Sequence, residues 1–318
     1  MTHIIFKTAA ATALTGMMAV AQAGSGALEI NQACVAEGCF PGDSPGFPVT
    51  LTNAGRYALT GNLTTSEPNA TAIGISAADV RIDLNGFSIT GPNHCDLETS
   101  SCSPGGTGRG ILLDGSIALR GTHISNGQIS GFGNYCAEVG FNGYVSDLSI
   151  SHCFAGISVG DGAIVERVRT FNNRFGFDLT GKATIRNSAS FSNIQNGVHI
   201  NASGGRRSLI EHNQISNNGG QGVSAASAVL MIGNVITDNG GSGVLFAGES
   251  GGSNAQNNMI HSNAQAGIQI NSLAGGGAIG MGGNTISGNG NGQNGSQVVG
   301  AGARIYLSPN LCASVICP

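Results

Sequence analysis

Six short segments, GISV at Gly156, GFDL at Gly176, GVHI at Gly197, GVSA at Gly222, GVLF at Gly243 and GIQI at Gly267, share one pattern. Each is a glycine, an apolar residue, any residue and a second apolar residue, and the steps between them are 20, 21, 25, 21 and 24. Outward from this block, GILL at Gly110 lies 46 residues ahead of Gly156, or two such steps, and GARI at Gly302 is read as the close of the series. Upstream of the triplets an apolar pair leads to Asn173, Asn193, Asn218, Asn239, Asn263 and Asn289. A third phase sets Asn187, Asn213, Asn234, Asn258 and Asn284 just ahead of an apolar residue. Three registers that advance together define a repeating coil.

The coil contains period-two apolar segments divided by Gly and Asn, and no stretch with helical periodicity. One such unit cannot bury its own apolar face. Stacking successive coils solves this, because every strand then pairs in parallel with its counterpart one repeat later and the inward Val, Ile and Leu form one core. Gly and Asn suit the corners because both tolerate positive φ. An Asn at a fixed phase sits over its copy, so its amide can donate to one rung and accept from the next. Composition agrees: of 318 residues, 53 are Gly and 30 Asn, none is Trp, and charged residues are only 9%, while 40% are hydrophobic, which excludes a long helical protein and leaves material for a core.

With these residues in view, the chain resembles the right-handed parallel β-helix proteins of the pectate-lyase-like superfamily, whose units read NxΦxxNxxxGΦxΦ. The segment VTLTNAGRYALTGNLT and the following AIGISAADVRIDLNGFSITG, within Val49 to Gly91, are similar to the opening rungs of exported bacterial members. The resemblance implies an all-β, single-stranded right-handed solenoid over residues 49–307. At roughly two dozen residues and ~4.8 Å per rung it would have about ten rungs. Residues 24–48, with three Pro and a Cys pair, are expected to cap the first rung, and residues 308–318, with another Cys pair, the last.

Residues 1–23 read as a signal peptide, with His3 and Lys7 in the n-region, an apolar stretch and Ala21-Gln22-Ala23 as cleavage signal. Export to the periplasm or the exterior is therefore expected. No later segment could span a bilayer, so membrane insertion is not expected. All 8 cysteines lie beyond the leader, and proximity pairs them as Cys34 with Cys39, Cys95 with Cys102, Cys136 with Cys153 and Cys312 with Cys317. Of 13 Lys and Arg, Lys7 leaves with the leader, so 12 face 17 Asp and Glu, a balance of −5 that argues against nucleic acid as partner.

In each triplet the middle residue points outward. In order these are Leu112, Ser158, Asp178, His199, Ser224, Leu245, Gln269 and Arg304, which sets Asp178 and His199 on neighbouring rungs. A carboxylate beside an imidazole makes a proton-transfer pair, the anion orienting the ring, so these two are the candidate catalytic residues. The competing reading is a surface ion pair. Arg169, Arg174, Lys182 and Arg186 are the candidate substrate-binding residues, since cations beside a base suit the carboxylates of an acidic polysaccharide. They could equally balance Asp161, Glu166 and Glu211. The polygalacturonase motifs NTD, DD, GHG and RIK, the DPHD of alginate epimerases and any acidic cluster for Ca²⁺ are all missing, so no catalytic residue transfers by motif and no cofactor is expected. The expected function is binding, with lyase or epimerase processing, of an extracellular polysaccharide, acidic rather than neutral. The alternative is a non-catalytic structural or adhesive protein. Oligomeric state is not legible.

Overall fold

The computed structural model describes residues 26–114, 120–201, 207–273, 277–290 and 297–317. The expected leader lies outside them. Successive coils stack in parallel and build three walls. Among the described residues the first wall has eleven strands, including Tyr135–Val139, Ala155–Val159, Phe175–Leu179, Val198–Ile200 and Val223–Ser227. The second runs through Val80–Asp83, Ile164–Glu166, Thr184–Arg186 and Ser208–Glu211, and the third through Arg169–Phe171, Ala189–Phe191 and Gln214–Ser216. Stacking begins at Leu28–Ile30, which pairs with Gly55–Leu59, and a four-residue helix, Gln32–Val35, follows it with Asn31 as N-cap. No described helix is long and apolar enough to cross a membrane.

The corner between the second and third walls is a single residue with positive φ on coil after coil: Asp147, Arg167, Asn187, His212, Gly233, Asn257 and Gly283. One left-handed residue turns the chain and leaves the next side chain pointing inward. Asn187 is not in the asparagine column; it is the corner residue, with φ 49°, and Ser188 holds the inward place. The column itself runs Ser188, Asn213, Asn234, Asn258, Asn284 and on to Asn310, each backbone N–H donating to the next side-chain oxygen at 2.9–3.1 Å.

A second column at the next corner runs as the spacing predicts through Asn173, Asn193, Asn218, Asn239, Asn263 and Asn289. Every amide in it is buried and bonded, and Gln297 ends it by accepting from Asn289 at 2.8 Å. The triplet glycines serve this column by their size. None of Gly222, Gly243 and Gly267 has positive φ; a Cβ on Gly243 would stand 2.8 Å from Asn263 Nδ2 and 2.5 Å from an Ile260 methyl. The requirement there is close packing against the ladder, not a left-handed backbone.

Between the walls the core is continuous, with Ile150, Val165, Phe177, Ile185, Ile210 and Phe246 all at most 1% exposed. The four disulfides join the neighbouring cysteines as proximity predicts.

Candidate functional site

Register on the first wall sets Glu138, Ser158, Asp178, His199, Ser224, Leu245 and Gln269 in one outward file. Arg304 does not belong to it. That residue pairs with Ile279 on the second wall, and Val299 holds the place opposite Gln269. Glu138 is the residue that the spacing skipped, because Cys136, bonded to Cys153, stands on that coil where the others have glycine. The file is half-buried rather than exposed.

Asp178 and His199 meet as their spacing predicts, with Oδ1 3.1 Å from Nδ1. The other carboxylate oxygen accepts from the Tyr135 hydroxyl at 3.3 Å, two coils away. A carboxylate only accepts, so Nδ1 carries a ring proton and Nε2 is the nitrogen left for another partner. Burial, then the Asp178 charge, pushes the Tyr135 hydroxyl above its ordinary value, which keeps it a proton donor.

Aromatic rings frame the three. His199 stacks on Phe175 with centroids 5.6 Å apart, and Phe154 meets Phe175 edge-on at 5.7 Å. Arg174 lies over Phe154 at 5.3 Å. Arg109 pairs with Glu138 at 2.9 Å and lies 6.0 Å from the Tyr135 ring. Burial raises the Glu138 carboxyl, opposed by Arg109 and the Leu113 N–H. A recess of about 380 Å³ adjoins this cluster between Phe154, Arg174 and the hairpin of His94–Asp96 and Ser101–Ser103, which Cys95–Cys102 staples.

The four expected cations do not gather here. Arg174 alone reaches the rings beside the pair, over Phe154. Lys182 is exposed just past the end of the Asp178 strand, its N–H donating to Asp161. Arg186 faces the second wall and bonds Glu166 at 2.7 Å, while Arg169 faces the third and covers Phe191 at 5.4 Å. Glu166 also takes bonds from Tyr144 and Arg167, and the Tyr144 hydroxyl first, then Arg167, holds its carboxyl at about 2. Tyr135, Glu138, Arg109, Phe154 and Phe175 were not legible in the repeat: the first two lie on a coil that has no glycine triplet, and the other three stand just ahead of the triplets at Gly110, Gly156 and Gly176. Among the described residues no three His, Cys, Asp or Glu come together as a metal site would require.

The fold and its lateral cluster define a right-handed parallel β-helix with a polar and aromatic site on one wall. Residues 175–311 match the family described as right handed beta helix region. No curated protein matches the chain. Among solved structures, the chain is similar to the A-module of the mannuronan C-5 epimerase AlgE4 of Azotobacter vinelandii, with 15% identity, TM-score 0.55 and coverage of 83% of this chain and 91% of that one. It is also similar to a point mutant of the periplasmic alginate epimerase AlgG, with 13% identity, TM-score 0.52 and coverage of 81% and 70%. At these identities the likeness concerns the fold.

Proposed function

We propose that the protein is exported and binds an acidic polysaccharide along the first wall, where it moves the C5 proton of a uronate in the manner of a lyase or epimerase. The observation that carries this is the Tyr135–Asp178–His199 chain beside Arg174 and the rings of Phe154 and Phe175. Four disulfides suit an oxidising compartment. The fold neighbours named above are a mannuronan C-5 epimerase and an alginate epimerase.

The division of labour follows from the atoms. Arg174 holds the uronate carboxylate, and the sugar face rests on Phe154 and Phe175. His199 Nε2 takes the C5 proton, and Asp178 orients the ring and balances the imidazolium. Arg174 offsets the charge that builds on the carboxylate as the C5–H bond breaks. The Tyr135 hydroxyl returns a proton, to C5 for inversion or to the leaving O4 for elimination.

The test is incubation of the mature chain with alginate, pectate and glycosaminoglycans in deuterated water, with and without Ca²⁺. Ultraviolet absorbance reads unsaturated product and NMR reads deuterium at C5. His199→Ala should lower turnover by roughly 10²–10⁴. No exchange and no unsaturation across these uronans would sink the catalytic reading.

A further inference from the structure

A second group of polar residues lies on another wall, near the N-terminal end. Pairing sets Arg56, Arg81, His123 and Tyr144 on four consecutive coils of the second wall. Neighbouring side chains in such a file are about 4.8 Å apart. Arg56 and Arg81 are exposed and point outward, and neither forms an ion pair with any described carboxylate. Like charges directly opposite one another on paired strands destabilise a sheet. By contrast, Arg167 and Arg186 on this wall are paired with Glu166 within the chain.

Beside the two guanidiniums is a groove of about 450 Å³, also lined by His123, Asp83, Asn85 and Ser125. His123 is fixed edge-on against Tyr144 at 4.8 Å. Burial first and Arg81 second, against Asp83, lower its tendency to take a proton, so it serves as a neutral hydrogen-bonding ring. Asp83 Oδ1 accepts from the Asn85 N–H at 2.8 Å and from Asn126 Nδ2 at 3.2 Å.

We propose that this groove binds a saccharide bearing a phosphate or sulfate ester, with the ester bridged between Arg56 and Arg81. The three terminal oxygens of a tetrahedral ester can meet two forks set one rung apart, whereas a single carboxylate is satisfied by one. Asp83 repels a bare anion but accepts from sugar hydroxyls, and Asn85 and Ser125 supply further polar contacts. The groove is too large for an ion alone. The site is distinct from the Asp178 cluster and does not rest on it.

Calorimetric titration of the full mature protein with glucose 6-phosphate, glucose 6-sulfate, inorganic phosphate, glucuronate and glucose tests this. The two esters should bind at least about tenfold tighter than inorganic phosphate or glucuronate, a difference of about 1.4 kcal/mol. Arg56→Gln and Arg81→Gln, both at exposed positions, should each weaken ester binding about tenfold. Asp178→Asn, which breaks the first-wall chain, should leave it unchanged, so loss of uronan processing and loss of ester binding are separable. Ester binding that is absent, no tighter than inorganic phosphate, or indifferent to both arginines overturns the proposal.

Discussion

Asn239 shows how much one side chain holds. Its oxygen accepts from Asn218 N and Asn218 Nδ2 at 3.1 and 2.9 Å, and its Nδ2 donates to Ile215 O and Asn263 Oδ1 at 3.2 and 2.8 Å. Asn239→Ala orphans two donors and a carbonyl in a dry interior, each costing about 1–3 kcal/mol if left unpaired. Partial relaxation should reduce the total to roughly 3 kcal/mol, read as a lower denaturant midpoint. Glu166 makes a different prediction. Its folded value of about 2 lies below its ordinary 4.5, so the stability it contributes is full above pH 4.5 and is lost as pH falls toward 2. Screening by solvent around exposed Arg167 and half-buried Arg186 limits that contribution to about 1 kcal/mol. The fall of Tm over this acid window should flatten in Glu166→Gln; an unchanged slope would deny it that role. At this scale the sequence was legible where identical residues repeat. It misled at Asn187 and Ser188, adjacent polar residues of which only the left-handed corner decides the inward one.

At the scale of the element, the coil of Tyr135–Val139 departs from its neighbours. Cys136 replaces the triplet glycine and reaches Cys153, closing a separation of 17 residues. A loop of that length implies roughly 3 kcal/mol of stabilisation through the unfolded chain. The double variant Cys136→Ser, Cys153→Ser should lose about that much in denaturant titration, whereas opening Cys312–Cys317, with a separation of 5, should cost less. This coil also supplies Tyr135 and Glu138, so the substitution that hid it from the repeat hid half of the candidate site. Asp178 and His199 were legible because both sit in intact triplets. The cations were legible as a cluster in sequence but not in space. A coil passes all three walls within one repeat, so Arg169, Arg174, Lys182 and Arg186 are dealt around the rod.

For the whole molecule, stability is close to a sum over neighbouring coils, and a terminal coil has one neighbour where a central coil has two. Hydrogen exchange should therefore be slowest on the coils between Ile210 and Ile260, which both asparagine columns cross, and fastest toward each end. The C-terminal end adds exposed Ile305, Leu307, Val315 and Ile316, each more than half exposed. Uniform protection along the chain would contradict the nearest-neighbour picture. Fold class was legible at this scale because a repeat multiplies one weak signal many times. The candidate site occupies only a few coils, so no such averaging revealed it.

Chain length between walls is unevenly distributed. On the coils between Ile164 and Ser287, the step from the last residue of a second-wall strand to the first of the third-wall strand is three positions, as in Glu166 to Arg169, Arg186 to Ala189, Glu211 to Gln214 and Gln256 to Met259. The passage from first wall to second varies, from Leu179 to Thr184 on one coil and from Ile200 to Ser208 on the next. One edge of the prism is thus nearly constant in length over these coils and another is variable. The edge of variable length borders the strands of Asp178 and His199, so insertions there can reshape the rim of the proposed sugar site while every ladder stays intact. Selection, or an engineer grafting loops, can alter what the protein holds without renegotiating how it folds.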